Sequence, residues 1–136
     1  MYGLDTNVLI RYLLRDDLIQ AEQARMAIEN ALQSDETVVV SLLTMLESAW
    51  VLRSCASIDK RTVITTFRML LEIRDIRIEQ EETLEEALYL YENNSADFAD
   101  CLMTARYARL GCSAMLTFDK KVAQLPGVVA VSALCI

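Results

Sequence analysis

Five acidic residues stand where the surrounding sequence is apolar. Asp5 ends the opening run Met1-Tyr-Gly-Leu and is followed by Thr6, Asn7, Val8, Leu9 and Ile10. Glu47 lies inside Leu42-Leu-Thr-Met-Leu-Glu47-Ser-Ala-Trp50, Asp97 and Asp100 frame Phe98-Ala99, and Asp119 closes Met115-Leu-Thr-Phe. Carboxylates in apolar surroundings are costly unless something positive compensates them. Where several converge, the usual compensation is a hard divalent cation held by oxygen ligands. Their mutual repulsion points to Mg²⁺, with Mn²⁺ as a substitute, because both ions favour all-oxygen coordination and activate water or neutralise phosphate oxygens. The expectation is a metal-dependent enzyme.

Each acid also has a bland reading. Asp5 suits the N-cap of a helix starting near Thr6, and Asp119 suits a turn capping Lys120 to Ala123. Glu47 shares a helix face with Leu43, Trp50 and Val51, and a glutamate on a core-facing stripe calls for a partner or a ligand. Arg53 is six residues away and falls on another face. Asp97 and Asp100 are three apart at a helix start, where the helix dipole favours acids whatever their function. Asp97, close to Ser95, fits a capping role about as well as a ligand role; Asp100 lies deeper and is favoured as the functional acid.

The elements that would carry these acids alternate between strand and helix. Tyr2 to Leu4 reads as a short buried strand, Thr6 to Leu14 and Ile19 to Leu32 as helices, and Thr37 to Ser41 as a β-branched central strand. Leu42 to Cys55 is a strongly apolar helix, and Asp59 caps another through about Ile73. Ile76 to Glu79 is a short strand, followed by helices over Glu81 to Tyr91 and Ser95 to Leu110, the latter closed by Gly111. Strands over Ser113 to Thr117 and Val128 to Val131 flank a helical turn at Lys120 to Ala123. The expectation is an α/β sandwich around a parallel sheet. In such sheets sites form outside the carboxyl ends of the strands, where Asp5 and Asp119 fall.

Composition narrows the chemistry further. A chain of 136 residues, 54% of them apolar, fits one domain over residues 1–136. Histidine is absent, which excludes Ser-His-Asp and Cys-His nucleophiles, histidine-based ribonuclease chemistry and the usual zinc hydrolase sites. The four cysteines, Cys55, Cys101, Cys112 and Cys135, form no C-x-x-C pair and read as buried, reduced thiols. No apolar run spans a bilayer and no leader is recognisable, so a cytoplasmic protein without a membrane partner is expected. The net charge of −7 argues against general nucleic-acid binding. Bound cations would reverse the local field, and Arg11, Arg15, Arg53, Arg61, Lys120 and Lys121 are available for phosphate contacts.

Leu4-Asp5-Thr6-Asn7-Val8-Leu9, Glu47 after Ser41-Leu-Leu-Thr-Met-Leu, Asp97-Phe-Ala-Asp100-Cys-Leu-Met and Leu116-Thr-Phe-Asp119 occur in that order. In this the chain resembles, over essentially its full length, a PIN-domain ribonuclease of the VapC-like type, the toxin of toxin–antitoxin pairs. The resemblance implies a PIN-like α/β/α sandwich with a mostly parallel central sheet of about four or five strands. It implies a quartet of Asp5, Glu47, Asp100 and Asp119 around Mg²⁺, with Asp97 as an added acidic neighbour and metal ligand. Thr6, Asn7 and Thr117 match the polar positions that orient these acids. An RNA substrate, a cognate antitoxin protein and a homodimer are also implied by the resemblance. The apolar faces carrying Met26, Ile28 and Leu32, or Met69 to Leu71, read mostly as core.

The mechanism so implied is hydrolysis of an RNA phosphodiester by in-line attack of metal-activated water. Asp5 and Asp100 are the main ligands, Asp119 and Glu47 complete the charge, and Glu47 or Asp97 takes the proton. One metal or two remains open. A haloacid-dehalogenase-like phosphatase calls for a second Asp two residues after the first, and Asn7 stands there. A phosphoacceptor receiver calls for Asp at the end of the central strand, and Ser41 stands there. A housekeeping nuclease, or a PIN-like module whose acids serve only structure or binding, is the other alternative.

Overall fold

Short β-branched runs and capped helices alternate along the chain, and the computed structural model, which describes residues 1–135, has that pattern. The chain divides into two compact units, Met1–Glu81 and Glu82–Ile136.

In the first unit, β1 (Tyr2–Gly3), β2 (Val38–Val40) and β3 (Ile76–Ile78) form a parallel sheet in the order β1-β2-β3. Tyr2 registers with Val38, Val38 with Ile76, and Val40 with Ile78. Parallel neighbours need crossover connections, here made by α1 (Thr6–Leu14) with α2 (Leu18–Gln33), and by α3 (Leu42–Ser54) with α4 (Lys60–Glu72). Alternation along the strands buries Val38, Val40, Ile76 and Ile78, while Arg77 stays exposed. Leu9, Met45, Leu52, Val63, Phe67 and Leu70 are fully buried from the helices. The first strand departs from expectation. Tyr2 and Gly3 are exposed rather than buried, because β1 lies at the margin of its three-stranded sheet.

Four of these helices begin at a residue whose side chain accepts a backbone N–H of the first turn: Asp5, Asp17, Ser41 and Asp59. Such caps satisfy donors that the helix leaves open. Arg15 closes α1 with φ 56° in the left-handed region.

The second unit holds α5 (Glu81–Asn93), α6 (Phe98–Arg109) and a parallel pair, β4 (Met115–Thr117) with β5 (Val128–Ala130). A short 3-10 turn at Val122–Gln124 joins the two strands, and another spans Val131–Leu134. Arg109 on α6 pairs with Glu82 and Glu86 on α5, and Tyr91 meets Phe98 edge to face at 5.6 Å between ring centroids. Gly111 ends α6 with φ 89°, a conformation that favours glycine. α6 starts at Phe98, later than the expected Ser95, because Asp97 is extended at φ −70° and ψ 159°. The α/β class and the parallel pairing are as expected; the five strands fall into sheets of three and two.

Among the described residues no helix is long and apolar enough to cross a membrane. The cysteines depart from expectation: only Cys101 is buried, and Cys55, Cys112 and Cys135 are exposed. The latter three lie in a helix cap, in a turn and after the last 3-10 turn, where neighbours are too few to cover them. Met26 and Met69 are likewise exposed, whereas Ile28 and Leu70 on the same helices are buried.

Candidate active site

Asp5 comes directly after β1 and the turn residue Leu4, and its Oδ1 accepts the Val8 N–H at 3.0 Å. It is therefore a helix cap, and the bond occupies one carboxylate oxygen. Asp119 lies past β4 in the same way: its Oδ1 accepts the N–H groups of Lys121 at 2.7 Å and Val122 at 3.2 Å. Thr117 Oγ1 accepts the Asp119 N–H at 3.0 Å, which fixes the turn. At both strand ends Oδ2 has no hydrogen bond among the described residues and remains open to a cation or a donor. Capping and ligation are thus compatible roles for these two acids. Of the other two expected orienting residues, Thr6 is buried and Asn7 is exposed, both in the first turn of α1.

Glu47 does not face the core. It is exposed, as are its stripe neighbours Leu43 at 76% and Trp50 at 62%. α3 is apolar on both sides, and its buried side is carried by Leu42, Met45, Ala49 and Leu52. Sequence spacing alone could not tell which apolar stripe meets water. Glu47 forms no ion pair or hydrogen bond among the described residues; Arg53 instead donates to the Ile58 carbonyl at 3.1 Å.

A chain of hydrogen bonds ties α3 to the strand ends of the first unit. Thr44 Oγ1 donates to the Leu4 carbonyl at 3.3 Å, directly before Asp5, and pairs with Ser41 Oγ at 3.1 Å. Glu79, just past β3, accepts the Leu42 N–H at 2.9 Å, while its own N–H donates to the Val40 carbonyl at 2.8 Å. Glu79, Ser41 and Leu4, each next after one of the three strands, line one open pocket of about 390 Å³. The N-terminal end of α3 therefore holds an anion supplied by the chain itself. Neither Thr44 nor Glu79 stands out in the sequence. The one signal was that Glu79, like Asp5, is an acid at a strand end.

In the second unit Asp97, Asp100 and Asp119 sense one another. The carboxyl of Asp100 is pushed above the usual aspartate range, first by burial and then by the charges of Asp97 and Asp119. Asp97 occupies the N-cap position of α6 but makes no side-chain capping bond, so it does not take up the bland role open to it. Asp100 is half-buried in the first turn. Buried Thr104 Oγ1 donates to the Asp100 carbonyl, one turn back in the same helix, at 2.7 Å and lies 3.9 Å from Met115 Sδ on β4.

Of the six cations considered for phosphate contacts, Arg11 is committed to Asp16 and Gln20, and Arg53 to the Ile58 carbonyl. Lys120 and Lys121 are exposed and enter no ion pair among the described residues.

In donor chemistry the acids offer oxygen ligands only, the type a hard divalent cation takes. Among the described residues no group of three or more His, Cys, Asp or Glu side chains is arranged to hold a metal ion.

The family profile of the PIN domain matches residues 2–128. The chain belongs to the PIN-domain family, whose members are generally nucleases, and its fold is of the nuclease type. The VapC-like resemblance of its acidic motifs is consistent with that membership. No curated protein matches the chain.

Proposed function

We propose that this chain is a Mg²⁺-dependent endoribonuclease acting as the toxin of a toxin–antitoxin pair. The observation that carries the nuclease part is membership of the PIN-domain family, supported by Asp100, whose carboxyl is pushed up first by burial and then by the charges of Asp97 and Asp119. A site that concentrates uncompensated carboxylates is built for a cation rather than for its own stability. By the family resemblance Asp97, Asp100 and Asp119 are the candidate ligands of Mg²⁺ or Mn²⁺, and a bound ion would supply water activation and neutralisation of phosphate charge. Asp5 and Glu47 keep the roles that the resemblance gives them. Glu47 is exposed, with no ion partner among the described residues. Asp119 is held by its turn at one oxygen only, so its other oxygen stays usable. RNA is the substrate that the family resemblance supports.

The toxin assignment rests on the VapC-like motifs alone, as do the homodimer, the cognate antitoxin and the cytoplasmic location. Expression of the chain by itself should arrest growth of the host, and co-expression of a small neighbouring DNA-binding protein should restore it. Harmless expression of soluble, metal-loaded protein would transfer the reading to a housekeeping nuclease. A second reading, a PIN-like binding module without catalysis, is favoured by the absence of a three-carboxylate group arranged for metal among the described residues. RNA digestion with Mn²⁺, compared with digestion in EDTA, separates the two.

A further inference from the structure

Phe118 stands between Thr117 and Asp119 with 91% of its surface exposed, the most open of the large apolar side chains described. Single exposed apolar residues are ordinary on protein surfaces. This one is set apart by the rigidity of its turn and by the charge of its neighbours. The turn that carries it is pinned by the Asp119 N–H on Thr117 Oγ1, by two N–H groups on Asp119 Oδ1, and by the Ala123 N–H on the Asp119 carbonyl at 3.0 Å. The ring is therefore presented to solvent by a fixed backbone. Directly after Asp119 come Lys120 and Lys121, both exposed and neither ion-paired among the described residues.

An aromatic face beside free cations suits unpaired nucleic acid. A base stacks on the ring whatever its identity, and the cations meet the backbone phosphates. A duplex hides its base faces and gains nothing from such a ring. In an otherwise acidic chain the two lysines are also a local positive charge where a phosphate would need one.

We propose that Phe118 is a stacking platform for an unpaired base of single-stranded RNA, with Lys120 and Lys121 meeting the adjoining phosphates. This rests on the nuclease reading and adds to it a residue that positions the strand. Leu116, two residues earlier in β4 and also exposed, makes a protein contact the rival use of this surface.

Trp50 is the one tryptophan of the chain, so Trp50→Phe with Phe118→Trp places a single reporter at the ring. In an Asp100→Asn background, which holds RNA uncut, short oligo(U) and oligo(A) should each quench that reporter, and their preformed duplex should not. In the otherwise native chain Phe118→Ala should raise KM for single-stranded RNA about tenfold and leave kcat within about twofold. Phe118→Tyr should restore KM, whereas Phe118→Leu, equally apolar but without a ring, should not. Rescue by leucine as good as by tyrosine, or quenching by the duplex, would overturn the inference. So would a Phe118→Ala chain that binds RNA normally but sediments as a smaller species, since the ring would then be a protein contact. If the wild-type chain neither binds nor cuts single-stranded RNA with Mn²⁺, the nuclease reading falls and this inference with it; cleavage indifferent to residue 118 removes the inference alone.

Discussion

Because burial and the charges of Asp97 and Asp119 both raise the pKa of Asp100, ionised Asp100 destabilises the folded chain relative to the unfolded one. An aspartate in the unfolded chain titrates near ~3.9. Above the raised folded value the penalty is fully present. As pH falls toward the unfolded value the folded form takes up its proton first, and the penalty vanishes. Metal-free Asp100→Asn should therefore melt higher than the native chain at neutral pH, with the difference closing as pH falls toward about 4. A gap that is constant with pH would show that charge is not its origin. The same variant should lose about a hundredfold or more in cleavage rate, as expected when a charge that holds the cation is removed. Asp97→Asn should lose less, and the reverse ranking would exchange the roles of these two acids. Ser48 makes an independent test of packing. Its hydroxyl is fully buried in α3 and lacks a hydrogen-bond partner among the described residues, so Ser48→Ala should stabilise by about 1 kcal/mol in urea denaturation.

The strand-end acids would be badly aimed if the helices beside them could slide, and at this level two threonines and a glutamate set the register. Thr44 fastens α3 to the carbonyl before Asp5, Glu79 fastens its first N–H, and Thr104 braces the first turn of α6 at the Asp100 carbonyl. Glu79→Ala should cost about 1 kcal/mol, the usual worth of a helix cap, and Glu79→Gln should retain most of it because its carbonyl oxygen still accepts. Thr104→Val should lower cleavage while leaving the helical circular dichroism unchanged, since it removes the bond to the Asp100 carbonyl and keeps the shape. The helices themselves are legible in the sequence, where Ser41 and Asp59 announce α3 and α4 and Gly111 marks the end of α6. The strands are legible from runs such as Val38–Val40. The orientation of α3 is not legible, because Leu43 and Trp50 on its open side are as apolar as Met45 and Leu52 on its buried side. Nor is the partner of Glu79, whose bond to Leu42 joins residues 37 apart in the chain; no local pattern records it. The acids at Asp5, Asp97, Asp100 and Asp119 are visible for the opposite reason, since apolar neighbours make a carboxylate conspicuous.

Across the whole chain the charge is −7, and added cations bear on both stability and substrate capture. Mg²⁺ or Mn²⁺ bound only by the folded form stabilises it by mass action, so the melting temperature should rise with either ion and fall back with EDTA. Superimposable transitions would count against a metal site. Three exposed cysteines and one buried one make a separate check of the fold. A thiol reagent should modify Cys55, Cys112 and Cys135 in the native protein, and Cys101 only after denaturation, because burial in α6 keeps the reagent out. Four thiols reacting at once would mean that α6 is not packed as described. Family membership settles a nuclease-type fold, and whether this chain uses it rests on its acids. The most direct measurement is the digestion of single-stranded RNA by purified native chain and by Asp100→Asn, each with Mn²⁺ and with EDTA. Cleavage should require both the metal and the native Asp100. Equal cleavage in EDTA, or by a folded Asp100→Asn chain, would contradict a carboxylate-held metal as the source of the activity.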